Sequence, residues 1–294
     1  MQHFFIGVDG GATKCTVAIE DESGALLGEV SSGAANIRNS IEQSWGSIYS
    51  CINKILTPLS LSLADGYFHA GMGLAGCEVQ SAYEAFLQSN HAFKTLKVVS
   101  DAHTACLGAH NGQDGAIIIV GTGVVGFQLQ QGQATRVSGW GFPLDDEGSG
   151  AWLGLQALKM TVRMVDQRLP HSSLTEAVLA HFEGNPHHIV YYAHTANSTA
   201  YATFAPFVIE HAKQGDALAV QLIQQAAHAI DEVAFALFRA EKSSTTPLAY
   251  ALVGGITTFI EPYLHQSLRA RLHPCKLSPA KGAIQLIKNH VRGI

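Results

Sequence analysis

A glycine-rich stretch near the N-terminus is the first pattern in the chain with chemical potential. Residues 9–14 read Asp-Gly-Gly-Ala-Thr-Lys and follow an apolar segment that is typical of a strand. Glycines let a backbone approach a phosphate group closely, and the amides of such a turn can point at its oxygens. A carboxylate beside them, here Asp9, is suited to hold a hydrated Mg²⁺. Taken alone, the same residues also fit a tight hairpin turn.

A second glycine-rich stretch, residues 121–126, reads Gly-Thr-Gly-Val-Val-Gly and follows the apolar segment 116–120. Its spacing matches the dinucleotide-binding fingerprint, but that motif must open a helix whose N-terminus binds pyrophosphate. Residues 124–130 instead alternate with period two and reach a Gln-Gly turn, which predicts a hairpin. Because each half of the chain carries a glycine turn at the matching place, we expect the phosphates of one nucleotide to be held between two lobes.

Asp101 follows the apolar segment 96–100 and precedes a helical pattern at 102–110. Active residues gather at such strand-to-helix junctions of α/β proteins. A carboxylate at this position is suited to accept a proton as a general base, and it is equally suited to cap the helix. Both interpretations are open on the residues alone.

Two further glycine-containing segments are candidates for ligand binding. Residues 139–150 pack Asp145, Asp146 and Glu147 among glycines immediately before a helical pattern. Loops of this kind bind polar ligands, although a solvated acidic turn has the same composition. Residues 254–255 are a Gly-Gly pair that follows a late strand. That pair fits a surface lying under an adenine base as well as it fits a simple turn.

The elements that must position these residues repeat once along the chain. Residues 3–30 predict a strand, a glycine turn and a hairpin, and residues 115–137 repeat that plan. Internal similarity at this spacing indicates two related α/β domains. We place them at residues 1–115 and 116–280, with a terminal helix at 281–294 that returns to the first domain. Other helices are predicted at residues 41–55, 151–167, 174–182, 201–213 and 217–239.

Composition and charge narrow the partners to small molecules. The 294 residues are 47% hydrophobic and 14% charged, with a formal net charge of -5. No lysine- or arginine-rich stripe is present that would release counterions from a nucleic acid. No basic leader with an apolar core precedes the first strand, and no apolar run reaches the roughly 18 residues of a membrane span. We therefore expect a cytoplasmic protein that binds neither nucleic acid nor membrane.

The cysteines and histidines argue against a metal or iron-sulfur centre. The cysteines are Cys15, Cys51, Cys77, Cys106 and Cys275, and no two of them form a C-x-x-C pair. We expect them to be reduced, buried thiols. Among the 15 histidines, four are candidates for a metal site, namely His181, His187, His188 and His194. They form no H-E-x-x-H pattern and pair with no nearby cysteine, so we expect them in loops or on the surface.

Read in order, the motifs resemble those of a known family. They are Asp9 to Thr13, Asn36, Ser100 with Asp101, Gly121 to Gly123, Gly139 to Gly141, Asp146 to Gly150, and Val253 to Gly255. Together they look like the signature of the N-acetylglucosamine kinases and bacterial glucosamine kinases, within the BadF/BadG/BcrA/BcrD-type ATPase family. The resemblance spans nearly the whole chain. It implies two ribonuclease-H-like, actin-like ATPase domains around a hinged cleft.

The resemblance also implies roles for individual residues. Asp101 would be the catalytic base that activates the sugar hydroxyl, and Asp9 would hold Mg²⁺ through water. The implied ATP-binding residues are Asp9, Gly10, Gly11, Ala12, Thr13, Lys14, Gly121, Thr122, Gly123, Gly254 and Gly255. The implied sugar-binding residues are Asn36, Ile37, Asp101, Gly123, Val124, Gly139, Trp140, Gly141 and Asp146.

The implied activity is phosphorylation of an amino sugar at its 6-hydroxyl, with ATP and Mg²⁺ as cofactors and N-acetylglucosamine favoured over glucosamine. A glucosamine-specific kinase, an activator ATPase of the same superfamily and a non-catalytic sugar sensor are the alternatives. An activator coupled to electron transfer needs clustered cysteine thiolates, and a sensor would lose the base. Lys14 and residues 143–145 depart from the family pattern, which bears on the preferred sugar. The sequence does not fix the oligomeric state, so a homodimer stays open.

Overall fold

The computed structural model describes residues 2–242 and 246–293 and divides into two compact units. The first comprises Met1–Ile117, Gln128–Ala134 and Pro274–Ile294, and the second comprises Ile118–Phe127 and Thr135–His273. The strands are β1 (His3–Gly10), β2 (Cys15–Asp21), β3 (Leu26–Ser32), β4 (Tyr67–Leu74), β5 (Thr95–Ser100), β6 (Gly115–Val120), β7 (Val124–Gln130), β8 (Gln133–Ser138) and β9 (Tyr250–Val253). The helices are α1 (Ile41–Leu56), α2 (Gln80–Gln88), α3 (Asp101–Ala109), α4 (Gly150–Val165), α5 (Ser173–His181), α6 (Pro186–Thr195), α7 (Ser198–Ala202), α8 (Ala205–Lys213), α9 (Ala217–Ala240), α10 (Thr257–Ile260), α11 (Gln266–Arg269) and α12 (Pro279–Arg292).

The sheet of the first unit has the strand order β3-β2-β1-β4-β5. Strand β1 pairs antiparallel with β2 and parallel with β4, and β4 pairs parallel with β5. In this register Gly10, Leu74 and Ser100 are aligned at the carboxyl ends of their strands. The parallel strands therefore bring Asp9 and Asp101 to the same edge of the sheet, where ligands of α/β proteins bind.

Helix α1 covers the core of this sheet in the way its periodicity predicts. Trp45, Ile48, Ile52 and Ile55 are all buried. Full burial of each such side chain contributes roughly 1.5–3 kcal/mol to the free energy of folding. The helix begins at the N-cap Ser40, whose hydroxyl accepts a hydrogen bond from the Gln43 amide at 3.1 Å.

Helix α12 packs within the first unit against β1 and β4, although it lies at the other end of the chain. Its backbone approaches the sheet closely at two glycines. A Cβ atom at Gly7 would lie 1.9 Å from the Ala280 carbonyl oxygen, and one at Gly71 would lie 2.2 Å from that of Ala283. Glycine at both positions therefore has a steric reason, and it lets the helix bury Ala280, Ile284 and Ile287 against the strands.

The second unit is helix-rich and contains most of the sheet with strand order β8-β7-β6-β9, while residues 115–117, 128–130 and 133–134 of that sheet are assigned to the first unit. Residues 124–130 form β7 rather than a helix, which confirms that the Gly-Thr-Gly-Val-Val-Gly stretch is not a dinucleotide-binding fingerprint. Helices α4, α5 and α9 match predicted segments closely, whereas the single helix predicted at 201–213 is divided between the end of α7 and α8. The α/β class is confirmed. Helix α6 was not predicted, because its histidines, valine and tyrosines have only modest helix propensity.

The five cysteines differ in burial, and the helices were also compared with the requirements of a membrane span. Cys15, Cys51 and Cys106 are buried, whereas Cys77 is partly buried and Cys275 is exposed. The prediction of uniformly buried thiols is therefore wrong for Cys275, which lies in the non-helical segment that precedes α12. Within residues 2–242 and 246–293, no helix combines the length and the apolar character needed to cross a membrane.

Candidate active site

The predicted site residues fall into two sets, one in each unit. In the first unit, the turn after β1 is a tight one, in which the Gly11 amide donates to the Lys14 carbonyl at 2.9 Å. The Gly10 carbonyl accepts from the Ala75 amide at 2.7 Å, and a Cβ atom at Gly10 would lie 2.8 Å from the Ala35 carbonyl oxygen. The backbone of the turn is thus fixed by its neighbours, while the side chains of residues 12–14 are exposed.

Asp9 and Asp101 influence each other electrostatically at this edge of the sheet. Burial, followed by repulsion from Asp101, raises the pKa of Asp9 to about 6, and the Lys14 ammonium acts in the opposite direction. Asp9 and Lys14 also line a polar cavity of about 440 Å³. Each of the two carboxylates makes ionisation of the other less favourable. A divalent metal ion or a bound proton would relieve this repulsion.

Asp101 occupies the first position of α3, and the cap of that helix is provided by its neighbour. The Ser100 hydroxyl accepts from the His103 amide at 3.3 Å, so the N-cap is Ser100. The Asp101 carboxylate accepts from the Ala102 amide at 2.8 Å and is partly exposed. Helix α3 can approach β4 because a Cβ atom at Gly73 would lie only 1.8 Å from the Thr104 hydroxyl. The capping alternative therefore does not account for the carboxylate at residue 101.

Asn36 and Ile37 lie beside the end of β4, where Asn36 forms an isolated parallel bridge with Ala75. The Asn36 side-chain oxygen accepts from the Arg38 amide at 3.0 Å, which fixes the orientation of the amide group. The Ile37 side chain is 2% exposed and belongs to the core, so a ligand can meet this residue only through its backbone. Asn36 is the residue of this pair whose side chain is placed at the surface.

The turn between β6 and β7 carries the first residues of the second set. The Gly121 amide donates to the Gly123 carbonyl at 2.9 Å. The carbonyls of Gly121 and Thr122 accept from the Gly150 and Ala151 amides, at 2.8 and 3.2 Å, at the start of α4. This turn is therefore anchored to a helix N-terminus, which satisfies amides that would otherwise lack partners.

Gly123, Val124 and Asp146 form a single structural group. The Val124 amide donates to the Asp146 carboxylate at 2.9 Å, and a Cβ atom at Gly123 would lie 2.8 Å from the same carboxylate oxygen. Asp146 is 7% exposed, and burial raises its pKa. Its φ of 75° is unusual for a residue with a side chain. Such strain persists where the surroundings enforce it and is common at functional sites.

Residues 138–146, here termed the tryptophan loop, include Gly139, Trp140 and Gly141. The Trp140 side chain is 78% exposed, and the Arg136 guanidinium lies 5.3 Å from the centre of its rings. Gly139 and Gly141 have φ values of 80° and 102°, which glycine adopts at little cost. The loop therefore presents a large aromatic surface at Trp140 and ends at the buried carboxylate of Asp146.

An apolar cavity of about 540 Å³ brings together further predicted residues of the second unit. Gly121 and Thr122 line it together with Gly255. Gly254 does not line the cavity. A Cβ atom there would lie 2.1 Å from the Val120 carbonyl oxygen, so this glycine allows the chain after β9 to pass close to β6. The remaining lining residues are Gly150, Ala202, Ala205, Pro206, Ile209, Glu210, Lys213, Ile256 and Phe259.

Sequence reasoning missed the wall that α7 and α8 give this cavity. Ala205, Pro206 and Ile209 carry no motif, and their apolar pattern is that of any packed helix. The available signal is the smallness of Ala202 and Ala205, which leaves room beside the Gly121 turn. A pocket built from small and apolar residues on separate elements is visible only after folding.

Among the residues that the structure describes, no group of three or more histidine, cysteine, aspartate or glutamate side chains is placed to hold a metal ion. A Mg²⁺ ion keeps several waters and is commonly bound by one or two carboxylates together with substrate phosphates. Asp9 is the residue of the first set whose position and charge fit that role.

The comparisons with known proteins agree with one another. The family described as the BadF/BadG/BcrA/BcrD ATPase family matches residues 6–267. The chain is 38% identical over 236 residues to the glucosamine kinase GspK of Vibrio cholerae, which covers 80% of each chain. It is 24% identical over 287 residues to the N-acetylmuramic acid/N-acetylglucosamine kinase of Clostridium acetobutylicum, covering 92% of this chain and 90% of that relative.

A solved structure from Chromobacterium violaceum is also similar, and its assignment as an N-acetylglucosamine kinase is provisional. It superposes with a TM-score of 0.87 at 31% identity and covers 97% of this chain and 98% of its own. The fold and family that the ordered motifs predict are both confirmed by these similarities.

Proposed function

The chain belongs to the BadF/BadG/BcrA/BcrD ATPase family, and from this premise we propose that it is an ATP-dependent kinase that phosphorylates an amino sugar at the 6-hydroxyl, with glucosamine as the preferred acceptor. The order of the two candidate sugars is the reverse of the one favoured from the sequence. The reason is the higher identity to a glucosamine kinase, 38%, than to a kinase of acetylated sugars, 24%.

The observation that carries the proposal is the apolar cavity of the second unit. Its volume of about 540 Å³ lies within the range of small-molecule sites, roughly 300–1,000 Å³. The glycine turn at Gly121 and Thr122 lies at one part of its lining, while Ile209, Ile256 and Phe259 provide apolar surface elsewhere. A nucleoside triphosphate has the matching chemistry, with a flat base for the apolar wall and phosphates for the backbone amides of a turn.

Asp101 is the proposed general base. In phosphoryl transfer the protein mainly positions the groups and neutralises charge, and a carboxylate accepts the proton of the attacking hydroxyl. Asp101 lies at the carboxyl end of the parallel strands, and Ser100 rather than Asp101 provides the helix cap. Its carboxylate accepts a hydrogen bond from the Ala102 amide, and we propose that it also accepts the proton of the sugar hydroxyl.

Asp9 and the backbone of residues 10–14 are proposed to bind the metal and phosphate portion of ATP. Bound Mg²⁺ would neutralise phosphate charge. The Asp9 carboxylate is the group of this turn that would hold the ion, and its raised pKa means that a cation would stabilise its charged form. Lys14 is exposed beside it and adds positive charge to the same place.

Each unit carries side chains that we propose as sugar-binding groups. Asn36 supplies a side-chain amide from the first unit, where its orientation is fixed by Arg38. From the second unit, Asp146 supplies a buried carboxylate and Trp140 an exposed aromatic face. Hydrogen-bonding groups of this type discriminate strongly, because a sugar that lacks the expected hydroxyl leaves a buried group unpaired at about 1–3 kcal/mol.

The alternatives have less support. All five cysteines lie in the first unit and only Cys275 is exposed, and the described part of the chain offers no cluster of three or more thiolates for an iron-sulfur group. A sugar sensor without activity would not need the carboxylate at Asp101, which is the proposed base at the first position of α3.

A coupled assay of ADP release with glucosamine, N-acetylglucosamine, glucose and N-acetylmannosamine tests the proposal. We expect the highest kcat/KM for glucosamine and a product that carries phosphate at C6, as determined by NMR. A preference for glucose over both glucosamine forms would contradict the amino-sugar assignment. ATP hydrolysis that no sugar accelerates would contradict the kinase assignment.

A further inference from the structure

The backbone of the tryptophan loop is held in conformations that need external support. Ser138 and Asp146 have φ values of 63° and 75°, and Gly139 and Gly141 also have positive φ values, 80° and 102°. A non-glycine residue at such an angle costs on the order of 1–3 kcal/mol and persists only when surrounding contacts enforce it. Two charged side chains, Arg136 and Asp145, make such contacts with Ser138, Gly139 and Trp140.

Asp145 binds the loop from within. Both oxygens of its carboxylate lie 3.0 Å from the Ser138 hydroxyl, and one oxygen accepts from the Trp140 amide at 2.8 Å. Although partial burial alone would raise the pKa of Asp145, hydrogen bonds from backbone amides and from Ser138 lower it. The charged form is therefore the one that holds the loop. Asp145 and Asp146 are adjacent yet fixed to different strands, because Asp146 accepts from Val124 at the start of β7.

Arg136 binds the same loop from strand β8. Its Nε donates to the Ser138 carbonyl at 3.0 Å, and a terminal nitrogen donates to the Gly139 carbonyl. The guanidinium also lies against the Trp140 rings. One side chain thus contacts two consecutive carbonyls and the aromatic ring, which a planar guanidinium can do and an ammonium cannot.

We propose that Arg136 and Asp145 are positioning residues for the sugar, which together hold the tryptophan loop so that Trp140 and Asp146 are presented to it. This inference rests on the proposed function, because it takes the loop to be part of the sugar site. Neither residue was among those predicted to touch a ligand. Their side chains act through Ser138, Gly139 and Trp140 rather than on the sugar itself.

A different role for Asp145 would be direct attraction of a cationic sugar. Asp145 lines a shallow cavity of about 270 Å³ together with Trp140, Glu147 and Glu232. An electrostatic role predicts that any of these charges contributes and that only a charged sugar is affected. A positioning role predicts that Asp145 matters and Glu232 does not, for charged and neutral sugars alike. Glu232 lies on α9, is exposed, and pairs weakly with His228 at 3.8 Å.

The test compares Asp145→Ala, Asp145→Asn, Arg136→Ala, Arg136→Lys and the control Glu232→Gln. For Asp145→Ala and Arg136→Ala we expect the KM of the sugar to rise about 10-fold or more, the factor expected for loss of a charge-assisted hydrogen bond. The KM of ATP and the Tm should stay close to those of the wild type. Asp145→Asn should be milder, since Asn keeps one acceptor, and Arg136→Lys should fail to restore binding fully, since Lys cannot contact both carbonyls.

Two further measurements separate positioning from other roles. The double variant of Arg136 and Asp145 should lose less than the product of the single effects, because both residues hold one loop. The loss should be equal for glucosamine and for a neutral sugar, measured as a substrate or as a competitive inhibitor. Glu232→Gln should leave the KM of the sugar unchanged.

Each contrary result has a distinct meaning. A loss confined to glucosamine, or an equal loss in Glu232→Gln, would overturn the positioning role in favour of direct charge attraction. An equal rise in the KM of ATP would show a general effect on the unit and would also overturn it. If the wild type is active and the variants bind sugar normally, the inference alone is wrong. If the wild type phosphorylates no amino sugar, the proposed function fails as well.

Discussion

The two glycine turns occupy matching places in repeated hairpins, yet their surroundings are chemically different. The turn after β1 is preceded by Asp9 and followed by Lys14, and its carbonyls are bound by the chain near Ala35 and Ala75. The turn after β6 is preceded by Val120 and is anchored to the N-terminus of α4. The first turn therefore brings ionisable groups to the edge of a sheet, and the second forms part of an apolar cavity.

This difference indicates that the two related glycine turns have different functions. The backbone geometry that suits phosphate is common to both turns, whereas the proposed metal ligand and the proposed general base both lie in the first unit. We therefore expect substitutions near the first turn to act on kcat and on pH dependence. Substitutions near the second should act on the KM of one substrate or the other.

The largest expected effect belongs to Asp101. Asp101→Asn should lower kcat by about 10²- to 10⁴-fold, the usual contribution of a positioned general base. The KM of ATP and the Tm should change little, because Ser100 and not Asp101 caps α3. Steady-state kinetics and a thermal unfolding scan check both statements. Near-normal turnover by a folded Asp101→Asn variant would show that Asp101 is not the general base, and the proposed difference in function between the two turns would then be wrong.

A matched pair of glycines in the second turn should separate the two substrates. A methyl group at Gly121 would meet no atom within 4 Å, whereas one at Gly123 would lie 2.8 Å from the Asp146 carboxylate. Gly121→Ala should therefore raise the KM of ATP, and Gly123→Ala should raise the KM of the sugar by displacing Asp146. We expect changes of about 10-fold, the order of one lost polar contact. Identical kinetic profiles for the two variants would contradict this separation.

The glycine pair after β9 should separate binding from stability. Gly255 lines the apolar cavity and has open space around it, so Gly255→Ala should raise the KM of ATP about 3- to 10-fold with an unchanged Tm. Gly254 has a φ of 127° and lies against Val120, so Gly254→Ala should lower the Tm by several degrees. Differential scanning fluorimetry with and without ATP measures both, and a reversal of the two outcomes would place the nucleotide elsewhere.

The sequence predicted the hairpins, most helices and the family, because these depend on local periodicity and ordered motifs. It did not predict the close approach of α12 to Gly7 and Gly71, since a glycine in a strand gives no sign of what will pack on it. Nor did it predict that Ile37 is a core residue, or that Arg136 and Asp145 bind the tryptophan loop. Contacts between residues on separate elements depend on the tertiary structure, which local patterns do not encode.

The smallest expected effect concerns the charge that distinguishes the first turn from the second. The pKa of Asp9 is raised from 3.8 to about 6, chiefly by burial. The native protein therefore binds a proton at Asp9 more tightly than the unfolded chain does. As the pH rises from about 4 to 6, the Asp9 carboxyl ionises first in the unfolded chain, which favours unfolding. Across this range the free energy of unfolding therefore falls by an amount on the order of 1–3 kcal/mol, and it stays lower at higher pH. Activity should move the other way, with kcat/KM falling as the pH drops through about 6.

Asp9→Asn removes this opposition between stability and function. At pH 8 the Tm of the variant should be a few degrees above that of the wild type, and near pH 4 the two Tm values should be equal. The kcat of the variant should fall, because Asn carries no charge to bind Mg²⁺. Asp216→Ala provides the control of opposite sign. Although burial alone would raise the pKa of Asp216, hydrogen bonds from the Ala219 and Leu174 amides lower it, so its loss should destabilise the protein at pH 8 more than at acid pH. A Tm for Asp9→Asn that is unchanged at pH 8 would show that the Asp9 carboxylate is not strained in the native state, and the electrostatic difference between the two turns would then be wrong.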